Sequence, residues 1–242
     1  MADSTHTAAA EAPLARLVYP VPSQRDTAYS YACNNCKRCC HDKLIQVNPY
    51  EVARLADHLR VTTADFARDC LDDNVYLKRS ANGACIFLNA SGCGVHPNRP
   101  MVCRIYPLGR HVDGDGSESF SHLAPHPQTQ GVYGVSQTVQ DYLAQQGAPE
   151  YMVAADHYLQ LFHRLHAALL VSMAKEPQLV QDIAQVANAA KAAMPAWLDV
   201  DSVVAHHCAA HGLPLPDSVD GKMKIHIAAI ESWLTQNLSG ET

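Results

Sequence analysis

Four cysteines stand within eight residues of this chain, in the stretch Cys33-Asn34-Asn35-Cys36-Lys37-Arg38-Cys39-Cys40. Thiolate sulfur is a soft ligand that suits zinc, copper(I) and iron–sulfur centres. Gaps of two residues let a short turn bring successive sulfurs onto one ion or cluster. Three further cysteines follow at Cys85, Cys93 and Cys103, so seven of the nine cysteines lie between positions 33 and 103. The pattern predicts a metal site to which distant loops contribute.

The composition of the 242-residue chain limits the classes of protein to consider. A net charge of −6 and the absence of a long Lys/Arg run argue against a nucleic-acid-binding protein. The most apolar stretch, 165–174, is too short for a membrane span, which takes about 20 residues. The beginning of the sequence shows no secretory signal, and thiols stay reduced in the cytosol. We therefore expect a cytoplasmic protein whose clustered cysteines bind metal and do not form disulfides.

Composition and local patterns divide the chain into three parts. Residues 1–28 are rich in Ala and Pro and predict an N-terminal tail. Residues 29–133 contain the seven clustered cysteines and predict a metal-binding domain with short strands. Residues 134–242 are rich in helix formers and predict an all-helical C-terminal region. The expected fold class is α+β, mostly helical.

Capping and turn signals place the main elements. Asn48-Pro49-Tyr50-Glu51 combines a cap, a first-turn proline and an acidic third residue, which predicts a helix ending near Leu59. A second short helix is expected from about Thr62 to Leu71. Val75–Lys78 and Cys85–Leu88 are expected to form a hairpin across the turn signal Asn82-Gly83. After residue 134 the expected helices cover 135–146, 150–174, 178–193, 200–211 and 219–238.

Two further patterns bear on packing and on ion binding. Asp113–Ser117 begins like a calcium loop, but Ala124 occupies the position that requires glutamate, so we expect a polar hairpin turn. Five apolar residues recur at helical spacing in the C-terminal part and are expected to form a buried stripe. They are Leu159, Phe162, Leu165, Leu169 and Met173.

Spacing alone leaves the ligand set of the metal centre open. Cys33, Cys36 and Cys39 reproduce the C-x2-C-x2-C opening of bacterial ferredoxins, but Cys40 follows directly. The fourth ligand must therefore be Cys40 or come from 85–103, and zinc fits the same spacing. Because neighbouring side chains alternate in an extended chain, Cys39 and Cys40 are expected to point apart. One four-coordinate centre is the simpler expectation; two centres would need the seven cysteines and a nearby histidine.

Basic residues close in sequence to the ligands have two interpretations. Four thiolates around a divalent ion leave a net negative charge, which is costly to bury without compensation. The basic residues either supply that compensation or belong to the ordinary charged surface. They are Lys37, Arg38, Lys43, Arg99, Arg104 and Arg110.

The combination of motifs resembles the CxxCxxCC family, a zinc- or iron-chelating family that includes YkgJ-like proteins. The resemblance rests on the cluster at 33–40, on Cys85-Ile-Phe-Leu, and on the segment from Cys93-Gly-Val-His-Pro to Cys103-Arg-Ile-Tyr-Pro107. It spans 31–134 and implies a bacterial metal-binding protein. The family also includes flagellin lysine N-methylases, which the resemblance links to an iron–sulfur cluster.

One position departs from the family pattern. Many members carry a further cysteine before a Pro-Gly stretch, where this chain has His126-Pro127-Gln128-Thr129-Gln130-Gly131. Histidine ligates zinc and iron, so either His126 replaces that cysteine or the chain lacks this ligand. The candidate ligands are therefore Cys33, Cys36, Cys39, Cys40, Cys85, Cys93, Cys103 and His126.

The expected function is that of a metal-binding protein with an iron–sulfur cluster, of the 4Fe–4S type, in an electron-transfer or other cluster-dependent role. The alternative is a zinc-stabilised, non-enzymatic module that contacts another protein through its helical region. A protein lysine N-methylase ranks lower, because the chain has no Gly-rich strand-to-helix turn for a nucleotide-like methyl donor. Cys70 and Cys208 are expected to pack as small apolar residues, and His207 and His211 to be a solvated or core pair.

Overall fold

The computed structural model describes residues 22–123, 130–175 and 198–237. The described helices are α1 (Pro49–Leu59), α2 (Thr63–Cys70), α3 (Met101–Ile105), α4 (Val139–Gln145), α5 (Pro149–Lys175), α6 (Val200–His211) and α7 (Val219–Asn237). The described strands are β1 (Ala28–Tyr29), β2 (Leu71–Asp72), β3 (Tyr76–Leu77), β4 (Leu88–Asn89), β5 (Gly92–Cys93), β6 (Leu108–Val112), β7 (Glu118–His122) and β8 (Gln137–Thr138). The fold is α+β and mostly helical, as predicted.

The strands form antiparallel two-stranded sheets, and no larger sheet is present among the described residues. β1 pairs with β8, β2 with β3, β4 with β5, and β6 with β7. The β1–β8 pair joins Ala28 to Thr138, so it crosses the predicted domain boundary at 133/134. The three-part division of the chain stays a prediction.

The predicted start of α1 is confirmed in atomic detail. The Asn48 side chain accepts a hydrogen bond from the Glu51 backbone N–H at 3.0 Å, and the Asn48 N–H donates to the Glu51 carboxylate at 2.9 Å. This reciprocal pair satisfies two backbone donors that a helix start would otherwise leave open. Arg60, in the left-handed region at φ 56°, ends the helix.

The predicted hairpin is confirmed at its turn and at the adjoining residues, where the Ile86 N–H donates to the Lys78 carbonyl at 3.0 Å, but its strands do not pair over their full length. Arg79 bridges to Cys85, and the Ser80 N–H donates to the Ala84 carbonyl at 2.9 Å across the expected Asn82-Gly83 turn. The flanking residues pair elsewhere, β3 with the preceding β2 and β4 with the following β5. The reason is local, because Asp73 and Asn74 both adopt positive φ and reverse the chain directly after β2.

The polar turn at Asp113–Ser117 is a hairpin turn, as predicted. The Asp113 N–H donates to the Ser117 carbonyl, and the Gly116 N–H to the Asp113 carbonyl, each at 2.9 Å. The two five-residue strands that it joins, β6 and β7, were missed because short mixed-polarity strands lack clear alternation.

Helix α1 lies between two apolar clusters. Val52 and Leu55 pack with α2 and with residues beneath the cysteine loops, including Leu77 and Val95. Tyr50, on the same helix, packs with the buried face of α5 and with α7. The cysteine-bearing loops are therefore built on a helix that also belongs to the helical core.

The buried face of α5 differs from the predicted stripe. The residues that are at most 1% exposed are Tyr151, Ala154, Tyr158 and Leu161, whereas Leu159 and Phe162 are each 36% exposed. Leu165 is partly buried against the same cluster. Two apolar faces overlap on this helix, and only its packing against α1 and α7 selects between them.

Several predictions fall outside the described residues. These are the helix at 178–193, the side chains of Leu169 and Met173, and most of the N-terminal tail. Within the described end of the tail, the Ser23 N–H donates to the Phe120 carbonyl at 2.9 Å, which attaches this segment to β7. Among the described helices, none has the length and apolar character needed to cross a membrane.

Candidate metal centre

Left-handed residues shape the first cysteine loop. Asn35 and Lys37 adopt φ 50° and 66°, and a 3-10 turn at Arg38–Cys40 follows. Asparagine tolerates the left-handed region better than most residues, which suits Asn35 to this turn. The loop therefore curls, so its cysteines do not spread along an extended strand.

The thiols of the neighbouring residues Cys39 and Cys40 interact directly. The Cys40 thiol donates to the Cys39 sulfur, and this hydrogen bond lowers the pKa of Cys39 to about 7. The same bond, with burial, raises the pKa of Cys40. The expectation that the two side chains point apart assumed an extended backbone, whereas these residues lie in a 3-10 turn, where side chains do not alternate.

Backbone contacts bring the second cysteine segment to the first. The Cys85 N–H donates to the Cys40 carbonyl at 2.9 Å, and the adjacent residues His41 and Ala84 form an isolated bridge. Cys93 lies on β5 opposite Leu88. Both Cys85 and Cys93 pack at the edge of the apolar cluster beneath α1, and burial raises the pKa of each thiol.

Cys103 lies on the short helix α3, which Glu51 holds in place. The Glu51 carboxylate is 3% exposed and accepts from the Met101 N–H at 2.6 Å, at the start of α3. Burial raises the pKa of the Cys103 thiol, and the neighbouring Cys39, Cys85 and Cys93 raise it further. Cys103 is thus within electrostatic range of both earlier cysteine segments.

The cysteines of the candidate site form two neighbouring groups. Five cysteines from three segments influence the pKa of one or more of the others, namely Cys39, Cys40, Cys85, Cys93 and Cys103. Cys33 and Cys36 influence Tyr31, whose pKa is raised first by burial and then by these two cysteines and Cys39, and Cys33 also influences Arg99 together with Cys93 and Cys103. Cys39 and Cys40 of the first loop are therefore electrostatic neighbours of the later three cysteines, and the full ligand set stays a prediction.

The segment after residue 129 returns to the first cysteine loop. The Gln130 N–H lies 3.4 Å from the Cys36 sulfur, which accepts its hydrogen bond. Gly131 packs flat against Tyr31, since a Cβ at this position would lie 2.0 Å from the Tyr31 ring. His126 lies outside the described residues, so its role as a ligand stays a prediction.

Two of the six candidate cations, Arg99 and Lys43, interact electrostatically with the cysteines. Burial lowers the pKa of Arg99, while nearby Cys33, Cys103 and Cys93 act in the opposite direction. Lys43 helps to lower the pKa of Cys39 and lies over the Tyr106 ring, 5.0 Å from its centroid. These two side chains are placed to offset thiolate charge.

The other basic residues have structural roles or face solvent. Lys37 donates to the Ala90 carbonyl at 3.0 Å, which connects the first loop to the β4–β5 turn. Arg110 makes a double hydrogen bond to Asp156 on α5 at 2.6 and 2.8 Å. Arg38 is exposed.

The buried Arg104 side chain connects the last cysteine loop to the helices. Arg104 directly follows Cys103 in sequence. Its guanidinium donates to the carbonyls of Arg99 and Gln146, each at 2.9 Å. It also donates to the Tyr151 hydroxyl at 2.8 Å and lies 4.0 Å above that ring. Arg104 was a candidate for charge compensation because it follows Cys103 in sequence. Proximity in sequence does not reveal which way a side chain points, and this one points to Gln146 and Tyr151.

The residues fit a metal centre by donor type and neighbourhood. All nine cysteines are free thiols, and five of the cluster cysteines are crowded with two cations nearby. Crowded thiols resist losing their protons until a cation is bound, and metal binding displaces those protons. Across 22–123, 130–175 and 198–237, no three Cys, His, Asp or Glu side chains already surround one ion position. The residues therefore suit a metal by the type of ligand atom that they supply. The described side chains do not form a complete coordination geometry.

The remaining cysteines are placed as expected. Cys70 is partly buried against the apolar cluster of α1 and α2. Cys208 is buried in α6, where its thiol donates to the Pro214 carbonyl at 3.5 Å. Both act as small core residues and provide matched controls for the clustered cysteines.

Comparison with known proteins identifies the class of this region. Residues 32–124 match the family model CxxCxxCC, described as "Putative zinc- or iron-chelating domain". The predicted family relationship is confirmed for this segment, which contains the seven clustered cysteines. Searches of curated proteins and of solved structures found no match. The relation to flagellin lysine N-methylases stays a prediction.

Proposed function

We propose that the chain binds one iron–sulfur cluster, of the 4Fe–4S type, through four of the five crowded thiols, and that it acts in electron transfer or another cluster-dependent role. The observation that carries this proposal is the approach of three cysteine segments: the Cys85 N–H donates to the Cys40 carbonyl at 2.9 Å, and Cys93 and Cys103 influence the pKa of Cys40. The matched family supports metal chelation by this region.

The surroundings of the thiols support a buried, negatively charged centre. Arg99 and Lys43 reduce the cost of thiolate charge, and Val95 and Phe87 belong to the apolar cluster beside Cys85 and Cys93. When bound, an iron–sulfur cluster supplies one-electron transfer at a potential set by charge, hydrogen bonds and burial. In this proposal the protein holds the cluster, limits solvent access and balances its charge.

Zinc is the alternative occupant, and it implies a different role. A zinc centre would stabilise the loops without redox chemistry, and the helical region would then contact a partner protein. Four thiolates satisfy zinc as well as a cluster; the resemblance of the opening at 33–39 to that of ferredoxins favours the cluster, although only Cys39 of that opening belongs to the five crowded thiols. We place the protein in the cytoplasm under either alternative, since unpaired clustered thiols need a reducing compartment.

Anaerobic purification followed by iron, sulfide and zinc analysis tests the proposal. We expect a brown protein with broad visible absorption and with iron and sulfide in equal amounts. Cys93→Ala and Cys103→Ala should lose the colour, whereas Cys70→Ala should keep it. A colourless protein with one zinc that needs the same cysteines would establish the alternative. Full metal content in both cluster variants would contradict the proposed site.

A further inference from the structure

A groove opens to solvent beside Cys85, one of the five crowded thiols. Its volume of about 590 Å³ is within the range of sites that bind small molecules. The side chains that line it combine two cations with other polar and with apolar groups, and they include His41, Lys78, Arg79, Cys85, Ile86 and Leu88. Among the residues that the structure describes, no acidic side chain lines the groove. This lining suits an anion that also carries an apolar group.

Strand pairing places Arg79 next to Cys85 at the wall of the groove. The two residues form an isolated antiparallel bridge. Residues directly opposite each other in an antiparallel pair project their side chains to the same face. Both side chains line the groove, so an anion held by the Arg79 guanidinium lies near the Cys85 thiol.

The charge of Arg79 is available to a ligand. Its side chain is exposed, and none of the salt bridges between described residues involves it. Lys78, by contrast, donates to the Arg68 carbonyl at 2.8 Å and interacts electrostatically with Asp69. Because a guanidinium presents two parallel N–H donors to a carboxylate or phosphate, Arg79 is the side chain suited to recognise such a group.

The sequence around the groove is basic although the chain is acidic overall. The segment 76–112 contains five Lys or Arg residues and no Asp or Glu, whereas the whole chain has a net charge of −6. Of these five, Lys78 and Arg79 line the groove. A metal with thiolate ligands would repel an approaching anion, so an anion binds beside it only where cations offset that charge. The two cations of the groove meet this requirement.

We propose that this groove binds a small organic anion, a carboxylate or a phosphate monoester with an apolar group, beside the metal centre. Arg79 holds the anionic group, and Ile86, which is 41% exposed, contacts the apolar group. The position of the ligand beside a metal rests on the proposed function, whereas its binding depends on the groove alone.

Saturation-transfer NMR titrations on the full-length protein, purified without oxygen, test the site. Three probes share one ring system: 2-naphthoate, 2-naphthyl phosphate and the neutral 2-naphthamide. We expect at least one anion to bind, and the amide to bind about tenfold more weakly, because hydrogen bonds between two charged groups are the stronger ones. The anion that binds more tightly identifies the group that Arg79 recognises.

Variants locate the binding in the groove. Arg79→Gln should weaken the better anion about tenfold, because it removes the charged donor pair. Ile86→Ser should weaken all three probes, since it removes apolar contact without changing charge. Arg38→Gln is the matched control, because Arg38 is also exposed and close to the cysteines in sequence but does not line the groove. It should bind the anions like the natural chain.

Four results would overturn the inference. These are the absence of anion binding, equal binding of the amide and the anions, unchanged anion binding in Arg79→Gln or Ile86→Ser, and an equal loss in Arg38→Gln. Metal content measured on the same samples separates this inference from the proposed function. Failure of anion binding in a protein that contains metal contradicts the groove site alone, whereas selective anion binding without metal contradicts the proposed function alone.

Discussion

The cysteine-rich region and the helical region are held together by different interactions. Around the cysteines, β2 to β5 are two residues long, and isolated bridges and left-handed turns connect them. In the helical region, Tyr151, Tyr158 and Leu161 are at most 1% exposed in a continuous cluster with α1 and α7. Apolar burial accounts for the second region, whereas the cysteine loops contain few residues that can supply such burial.

From this difference we expect a bound metal to have a structural role. Two-residue strand pairs are marginal by themselves, so the loops at 33–40 and 85–103 need another source of order. Glu51 and Arg104 connect these loops to α1, α4 and α5 but do not fill a core beneath the first loop. We therefore expect the stability of the two regions to separate when the metal is removed.

The largest expected effect is that of metal removal. Binding at structural sites contributes about 10 kcal/mol in small metal domains, so the apoprotein should lose order at 33–46 and 80–103. Hydrogen exchange followed by mass spectrometry should show faster exchange there and unchanged protection in α5 and α7. Equal loss of protection in both regions would show that the metal supports the whole fold.

A core truncation in α5 comes next. Leu161→Ala should destabilise the helical region by about 2–5 kcal/mol, because it removes a fully buried side chain. Leu159→Ala, at a position 36% exposed, should cost about 1 kcal/mol or less. Urea unfolding monitored by circular dichroism measures both, and equal costs would contradict the observed buried face.

Arg104→Lys should have an intermediate effect on the link between the regions. Lysine cannot reproduce the hydrogen bonds to Arg99, Gln146 and Tyr151, and the expected cost is about 2–3 kcal/mol. Metal should also dissociate faster, because α3 carries Cys103. Arg38→Lys, at an exposed position in the first cysteine loop, is the control. Unchanged stability and metal release in Arg104→Lys would show that the Arg104 hydrogen bonds are dispensable.

The smallest expected effect is a pH dependence at the contact between α2 and α6. Burial of Asp201 opposes its ionisation, but hydrogen bonds from Lys222 and the Thr63 N–H prevail and hold its pKa below the usual range. Its contribution, about 0.5–1 kcal/mol, is therefore complete above the unfolded pKa of about 3.9 and is lost as pH falls through the lower folded value.

Asp201→Asn should remove that part of the acid dependence. Urea midpoints from pH 7 downward should fall less steeply in Asp201→Asn than in the natural chain. Asp217→Asn, an exposed change in the loop before α7, is the control and should leave the curve unchanged. The assignment fails if the two variants have the same pH profile.

Local signals predicted much of the secondary structure. The capping box at Asn48 and Glu51 and the polar turn at Asp113–Ser117 depend on neighbours in sequence, so they were readable without the fold. The second hydrogen bond of Glu51, to Met101, was not readable, because it joins residues 50 positions apart. The pairing of β2 with β3 was not predicted either, because it depends on the left-handed conformations of Asp73 and Asn74.

The sequence by itself determined the class of site, because cysteine spacing, residue chemistry and turn propensity are local properties. It placed the candidate ligands among the seven clustered cysteines and His126, left one or two centres open, and predicted an α+β chain with a helical C-terminal part. Tertiary structure alone decided which thiols are neighbours, that Arg99 and Lys43 accompany them, and that Arg104 connects the site to the helices. Side-chain direction and long-range packing decide those contacts, and neither is encoded in the spacing of residues along the chain.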